Sequence, residues 1–259
     1  MLTNYRQLTV EQKQQIVSAF NQGMECREIP SYLKVSERAV ARILNEAGIN
    51  TKRRNRYTLN EDYFDALDSQ AKAYLLGLIA ADGCVTHSNY VAFESIDKEL
   101  TEMLRKELEY SGEIRIVQPQ NYAPHYRLNF SSKKLAAALC SYGIVPGRTF
   151  SGVYYFPQPK YLASYVLGYF DGDGCAYVNR GRSGGLICIV GSLNFTRELA
   201  KQLDMGFVEE HCLKKVYYWK IYSQKHIKAF YEFVYQQPNF GLERKKRKIL
   251  EILRSYKRG

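Results

Sequence analysis

The sequence predicts an α+β fold in which one αββαββα unit occurs twice in tandem, preceded by a small all-α domain. From residue 68 onward, helix-like and strand-like segments recur in the same order, and the second copy begins near residue 161. Each copy opens with an apolar helical motif, YLLGLIAADGCV at 74–85 and YVLGYFDGDGCAYV at 165–178. Repetition of a whole unit predicts two similar halves related by a pseudo-twofold axis.

The first 50 residues carry the signals of three short helices. Thr9 and Gln12 form a capping box for the first helix, and Ser36 is the expected N-cap of the third. Apolar positions at helical spacing on the third helix leave Arg38 and Arg42 on its outer face. The segment resembles a helix-turn-helix DNA-binding module, whose last helix enters the major groove. Any small helical bundle is the alternative interpretation.

Composition and turn signals divide the chain into five segments. We expect a helix-turn-helix domain at 1–50, a basic linker at 51–67, a first repeat at 68–148, an inter-repeat linker at 149–160, and a second repeat with a basic C-terminal helix at 161–259.

The charge balance indicates a polyanionic partner. The 259 residues include 37 Lys and Arg against 26 Asp and Glu, a formal net charge of +11. Nucleic acid is the first candidate partner and an anionic membrane the second. No apolar stretch is long enough to cross a bilayer and no signal-peptide core is present, so an intracellular protein is expected. Six cysteines without a C-x-x-C pair argue against a zinc site, and we interpret them as small buried hydrophobes.

The two motifs also predict how their helices meet. Small residues stand four apart, Gly77 with Ala81 and Gly168 with Gly172, on helices that are otherwise apolar. Small side chains at this spacing let two helix backbones approach closely. We therefore expect the motif helices to pack against each other.

Each motif ends in an aspartate that precedes a glycine. The glycine is expected to stop the helix in the left-handed conformation, which places Asp82 and Asp173 at helix C-termini, where the dipole disfavours negative charge. A divalent cation compensates such a pair, and oxygen ligands without a His or Cys cluster favour Mg²⁺ or Mn²⁺ over Zn²⁺. One Asp-Gly helix end is usually a simple cap. Two Asp-Gly helix ends in matching contexts favour a catalytic role for the aspartates.

LLGLIAADG and VLGYFDGDG resemble the two motifs of the monomeric LAGLIDADG homing endonucleases, and the similarity runs from about residue 57 to residue 248. The resemblance implies a saddle-shaped antiparallel sheet that straddles DNA. It also implies that Asp82 and Asp173 bind metal, with the backbone of Ala81 and Gly172 as further candidate ligands. The family often has a second acid two residues earlier, which this chain keeps only as Asp171.

The family also places a basic residue near the end of each repeat, close to the cleaved phosphates. This implies Arg148 in the first repeat and Arg244 or Lys245 in the second, and spacing aligns Arg148 with Arg244. We take Arg148 and Lys245 as catalytic candidates and Arg244 as a DNA contact. A solvated basic face is the alternative for each of them.

Strand alternation separates a core face from a face available to DNA in YRLNFS and YYWKIYS. The polar sets assigned to DNA are Arg127 and Asn129 in the first repeat and Tyr218, Lys220 and Tyr222 in the second. Base-edge contacts by such residues provide sequence selectivity. Arg38 and Arg42 are further DNA-contact candidates on the third helix. Salt-dependent affinity is expected from Lys52, Arg53, Arg54 and Arg56 and from the basic stretch that runs from Arg244 to Arg258.

The resemblance implies a site-specific, Mg²⁺-dependent endonuclease of intron-homing type that hydrolyses both DNA strands and leaves short 3′ overhangs. With one motif per strand, a monomer would act on a long, asymmetric duplex target. The alternatives are a non-cleaving DNA-binding transcriptional regulator and an intron RNA maturase. The presence of both motif acids argues against the regulator. The helix-turn-helix segment argues against RNA, whose major groove is too narrow to admit a helix.

Overall fold

The computed structural model describes residues 3–49, 57–120, 123–211, 216–235 and 241–256. The chain divides into two compact units, residues 1–56 and residues 57–259. Each unit encloses a hydrophobic core of its own.

Among its described residues the N-terminal unit has a 3-10 turn (Tyr5–Gln7) and three α-helices, α1 (Val10–Asn21), α2 (Ile29–Leu33) and α3 (Glu37–Glu46). The capping predictions are confirmed: the Thr9 hydroxyl accepts from the Gln12 amide at 3.3 Å, and the Ser36 hydroxyl accepts from the Ala39 amide at 3.3 Å. Lys34 turns the chain between α2 and α3 in the left-handed region, at φ 54°. The core of the unit consists of Leu8, Ile16, Ala19, Ile29, Val35, Ala39, Val40, Ile43 and Leu44.

The second unit contains the two repeats in the predicted order. The first repeat consists of α4 (Gln70–Asp82), β1 (Gly83–Val85), β2 (Tyr90–Ser95), α5 (Lys98–Glu107), β3 (Arg115–Val117), β4 (His125–Ser131) and α6 (Lys133–Ser141). A short helix, α7 (Arg148–Ser151), follows it. The second repeat consists of α8 (Pro159–Asp173), β5 (Gly174–Val178), β6 (Gly185–Gly191), α9 (Leu193–Leu203), β7 (Phe207–His211), β8 (Val216–Ile221) and α10 (Gln224–Val234), and α11 (Glu243–Ser255) follows. The predicted αββαββα duplication is confirmed.

The strands form two antiparallel sheets of four, with orders β1-β2-β4-β3 and β5-β6-β8-β7. The two sheets start in the same way, because Gly83 pairs with Phe93 in one and Gly174 pairs with Ile189 in the other. Alternation along β4 and β8 follows the prediction, since Leu128 and Trp219 are fully buried while their neighbours on the other face are not. One face of each sheet is therefore packed on helices.

The motif helices α4 and α8 cross in close contact. A Cβ atom at Gly77 would lie 2.0 Å from the Tyr165 carbonyl oxygen, and one at Gly168 would lie 1.9 Å from the Tyr74 carbonyl oxygen. The contact is reciprocal: each glycine meets the backbone that lies one helical turn before the other glycine. The prediction that small residues bring the two motif helices together is confirmed.

The glycines after the motif aspartates differ from the prediction. Gly83 and Gly174 are extended, at φ −101° and −98°, so each helix continues directly into a strand without a left-handed stop. The need for a glycine at both positions is explained instead by the lack of room for a Cβ atom. A Cβ would lie 2.5 Å from the Ile79 carbonyl oxygen at Gly83 and 2.4 Å from the Phe170 carbonyl oxygen at Gly174.

The segment before α4, residues 57–67, belongs to the second unit and packs in its core, although the sequence assigned it to the basic linker. Phe64 is buried in the core, and the Asn60 amide donates to the Leu108 carbonyl at 2.8 Å. The interpretation of the cysteines as buried is wrong for the described ones, since Cys84 and Cys175 are exposed and the other three are half-buried. Within the described ranges, no helix has the length and apolar character needed to span a bilayer.

Candidate active site

Asp82 and Asp173 are the last residues of α4 and α8, and the crossing of these helices brings their ends together. A Cβ at Gly172 would lie 2.4 Å from the Ala81 Cβ and 3.1 Å from Asp82 Oδ2. The Asp82 carboxylate therefore lies against the backbone of the opposite motif. A cleft of about 470 Å³, whose lining includes Arg148, Tyr169 and Asp173, opens beside this site.

The surroundings of the two carboxylates oppose their ionisation. Partial burial, followed by the charge of Asp173, raises the pKa of Asp82 to about 7. Burial also raises the pKa of Asp173, although the positive charges of Arg148 and Lys245 act in the opposite direction. Two neighbouring carboxylates with raised pKa values form a site at which a cation binds favourably.

Lys245 lies beneath the carboxylate pair and caps the end of α8. Its side chain is buried, and the ammonium donates to the carbonyls of Phe170 (2.6 Å), Asp171 (2.7 Å), Gly172 (3.3 Å) and Gly174 (2.7 Å). These carbonyls include ones left without a helical partner at a C-terminus, where a cation is favoured. Burial lowers the pKa of Lys245, and the negative charge of Asp171 partly opposes this shift.

Arg148 has the corresponding position in the first repeat. Its Nη2 donates to the Ala81 carbonyl at 3.4 Å, as Lys245 donates to the carbonyl of Gly172. Since Ala81 and Gly172 each directly precede the motif aspartate, Arg148 and Lys245 are structural counterparts. The alignment of Arg148 with Arg244, which was based on spacing, is therefore wrong by one residue.

Arg244 points elsewhere and forms an ion pair with Asp97. Its Nε and Nη2 donate to the two carboxylate oxygens of Asp97 at 2.8 and 2.5 Å. Asp97 is the N-cap residue of α5, so this bidentate pair ties α11 of the second repeat to the first repeat.

Asp171, the earlier acid of the second motif, is buried and joins three elements. It accepts from the Tyr74 hydroxyl of α4 at 2.8 Å and from the amide of Leu242, the N-cap residue of α11, at 2.9 Å. Burial raises the pKa of Asp171 to about 6, and the hydrogen bond from Tyr74 works against this shift. Through Leu242, Asp171 fixes the start of the helix that carries Lys245. The sequence contained no signal for the role of Tyr74.

The strand residues assigned to DNA lie on the open sheet faces, and two of them form ion pairs that the sequence did not predict. Arg127 pairs with Glu94 at 2.5 Å, and Lys220 pairs with Glu209 at 2.6 Å. The structure brings together Arg127 with Asn129 on β4 and Tyr218 with Lys220 on β8, while Tyr222 directly follows β8 and is 45% exposed.

In the N-terminal unit the two candidate arginines of α3 differ. Arg38 is exposed, whereas Arg42 is held by Glu46 at 2.9 Å and lies over the Tyr5 ring, 3.9 Å from its centroid. The remaining candidates of the N-terminal segment, Lys52, Arg53, Arg54 and Arg56, lie outside the described residues.

The donor set of the candidate site consists of oxygen atoms. No group of three or more His, Cys, Asp or Glu side chains is arranged for metal binding in the part of the chain that the structure describes. The available ligands are the carboxylates of Asp82 and Asp173 and the carbonyls of Ala81 and Gly172. Few protein oxygens suit Mg²⁺, which usually keeps several of its waters. The residues present therefore fit a hard divalent cation.

A family model described as LAGLIDADG-like domain matches residues 69–142. This segment is a LAGLIDADG-like domain. No curated protein sequence matches the chain.

Solved structures extend the likeness to the second repeat. The I-LtrWI LAGLIDADG homing endonuclease bound to its target DNA is 15% identical, with a TM-score of 0.50, over 77% of this chain and 92% of that one. The LAGLIDADG meganuclease I-AabMI bound to uncleaved DNA is 15% identical, with a TM-score of 0.51, over 71% of this chain and 91% of that one. Meganuclease I-SmaMI bound to uncleaveable DNA is 13% identical, with a TM-score of 0.50, over 72% of this chain and 91% of that one. At these identities the likeness establishes the fold.

The LAGLIDADG-like fold explains why these particular residues meet. Each motif ends where its helix passes into the first strand of its sheet, so Asp82 and Asp173 lie between the helix crossing and the two open sheet faces.

Proposed function

We propose that the chain is a site-specific endonuclease that hydrolyses both strands of duplex DNA with Mg²⁺ or Mn²⁺. One observation carries the proposal: two partly buried carboxylates, each at the end of a LAGLIDADG-like motif helix, meet at the helix crossing. The DNA-bound homing endonucleases with the same fold support DNA as the substrate.

Asp82 and Asp173 would hold the metal, and the Ala81 and Gly172 carbonyls would assist. When bound, a divalent cation stabilises charge on a phosphodiester and lowers the pKa of a water nucleophile. Each carbonyl already accepts one hydrogen bond, from Arg148 or Lys245, and keeps a second lone pair for another partner.

The two basic residues have different roles in the proposal. Arg148 is partly exposed and stays protonated, so its guanidinium would stabilise phosphate charge and would not transfer a proton. Lys245 is buried under the carbonyls of the motif end and would act as a positioning residue. Both cations also favour the ionised form of Asp173, which is the form that binds metal.

We further propose that one monomer binds a long, asymmetric target and that hydrolysis leaves short 3′ overhangs. The register makes Arg127 and Tyr218 equivalent, and likewise Asn129 and Lys220, so the two repeats present different side chains at matching places. Different side chains at equivalent positions would recognise different half-sites. The N-terminal unit would extend the recognised sequence through Arg38 on α3, as a helix-turn-helix module does.

The test is digestion of a randomised duplex library with the full chain and Mg²⁺, followed by sequencing of the ends. We expect site-specific double-strand ends that Asp82→Asn and Asp173→Asn each abolish. Asp68→Asn, at an exposed carboxylate before α4, serves as the matched control and should cut like the parent. Selective binding without ends in any divalent metal would overturn the enzyme in favour of a DNA-binding regulator.

A further inference from the structure

Three charged residues form one row across the first sheet. Glu94 on β2 is the direct cross-strand partner of Arg127 on β4, and Arg127 is the direct partner of Arg115 on β3. Direct partners in antiparallel strands point to the same face. Leu128, the next residue on β4, is buried, so the row lies on the open face that the proposed function assigns to DNA.

Glu94 holds one edge of the Arg127 guanidinium. Nε and Nη2 of Arg127 both donate to Glu94 Oε2, at 2.6 and 2.5 Å. The other oxygen, Oε1, lies 2.9 Å from His125 Nδ1, which fixes the carboxylate in turn. The Arg127 side chain is 41% exposed and that of Glu94 is 27% exposed. Two anchored N–H groups leave the outer edge, formed by Nη1 and Nη2, free to donate to a ligand.

The free edge of an anchored arginine matches one base. Guanine presents N7 and O6 as two adjacent acceptors in the major groove, and a guanidinium donates to both at once. Anchoring also reduces the loss of side-chain entropy on binding. A loose arginine that contacts a phosphate needs no such anchor.

The second repeat lacks this arrangement at the equivalent place. Tyr218 occupies the position of Arg127, and its cross-strand partners are Val190 and Glu209. The paired cation of this sheet, Lys220, lies two residues further along β8, on the row of Cys188 and Phe207. Lysine offers a point charge and no planar pair of donors.

We propose that Arg127, positioned by Glu94, reads a single guanine in the half-site bound by the first repeat. This inference rests on the proposed function. It makes Arg127 a specificity-determining residue and Glu94 a positioning residue. Because the row lies at the end of the sheet nearest Gly83, the guanine belongs to the part of the half-site close to the scissile phosphates.

The experiment determines base preferences with the full chain. The parent's site is first obtained from the randomised duplex library with Mg²⁺, and every position of that site is then varied singly in cleavage and binding assays. Arg127→Ala and Arg127→Lys should each reduce the preference for guanine at one base pair by about tenfold. Glu94→Gln should also relax that preference while overall affinity is kept, because a released arginine remains attracted to phosphate.

Two variants serve as controls. Arg115→Ala removes a charge from the same row, where Arg115 forms no ion pair with any residue that the structure describes. It should weaken binding equally for all sequences. It should also reduce the slope of log K against log salt concentration by about 1, the value for one lost phosphate contact. Lys220→Ala should leave the guanine preference intact, since Lys220 belongs to the other repeat.

Two results would overturn the inference: uniform weakening by Arg127→Ala with base preferences unchanged, or no effect of Arg127→Ala at all. Either outcome leaves the endonuclease proposal standing if the parent still cuts its site. Failure of the parent to bind or cut any member of the library would instead refute the proposed function.

Discussion

At the scale of the residue, Asp82 is ionisable in a place that favours its neutral form. Partial burial and the neighbouring Asp173 raise its pKa to about 7. A carboxyl whose pKa is higher in the folded than in the unfolded protein stabilises the fold only while it is protonated. The metal-free protein therefore loses stability as the pH rises from about 4 to about 7.

We expect Asp82→Asn to stabilise the metal-free protein at pH 8 by about 2–4 kcal/mol, because the amide carries no charge to desolvate. At pH 4 the gain should vanish, since the carboxyl of the parent is then protonated. Thermal melts at both pH values in EDTA measure the difference. Equal stability of the two proteins at pH 8 would contradict the raised pKa, and Asp68→Asn controls for loss of a surface charge.

Residue-scale predictions from the sequence succeeded where a pattern was duplicated. The repeat singled out Asp82 and Asp173, and the structure places both at motif ends. Their catalytic role stays a prediction. The inward turn of Lys245 to the α8 carbonyls could not be predicted, because a run of basic residues does not indicate which of them faces the core. Ion pairs such as Glu94 with Arg127 join distant segments and require the fold to be known.

At the scale of the element, the α4–α8 crossing sets the position of everything at the site. The Gly77 and Gly168 contacts leave no room for a side chain, so the two backbones touch directly. Movement of either helix would shift both aspartates at once.

Gly77→Ala should therefore destabilise the second unit by about 3 kcal/mol, since the added methyl would lie 2.0 Å from the Tyr165 carbonyl oxygen. Cleavage of both strands should fall together. Denaturant titration and a nicking assay on supercoiled plasmid measure the two effects. Ala137→Ser, at an exposed position of α6, adds one atom outside the crossing and should change neither. Loss of cutting on one strand alone would contradict the shared contact.

The order of elements followed from periodicity and caps, and it is confirmed throughout both repeats. The third helix begins directly after its predicted N-cap, Ser36, because a capping serine is a local signal. The conformation of Gly83 and Gly174 was predicted incorrectly. At these two glycines a side chain would collide with Ile79 or Phe170, four residues earlier in the same helix, and the Asp-Gly pattern alone does not distinguish this local crowding from a left-handed helix stop.

At the scale of the whole molecule, the two units have cores of very different size. The N-terminal core consists of nine apolar residues, whereas the core of the second unit extends through both repeats. A small core buries little apolar surface and gives marginal stability.

Calorimetry of the full chain should consequently resolve two transitions, with the N-terminal unit melting first. Mg²⁺ should raise only the upper transition, because a ligand stabilises the unit that binds it. A single transition that shifts as a whole with Mg²⁺ would contradict independent units. Mg²⁺ added to Asp173→Asn should leave both transitions in place.

The reciprocal glycine contacts also determine how this architecture can be recombined. A chimera that joins one repeat to a foreign second repeat must keep a glycine on each side of the crossing, at the places of Gly77 and Gly168, since each glycine is complementary to the backbone of the opposite helix. The sheet faces carry no such constraint. New target specificity is therefore most easily engineered by exchanging strand residues while the α4–α8 pair is kept unchanged.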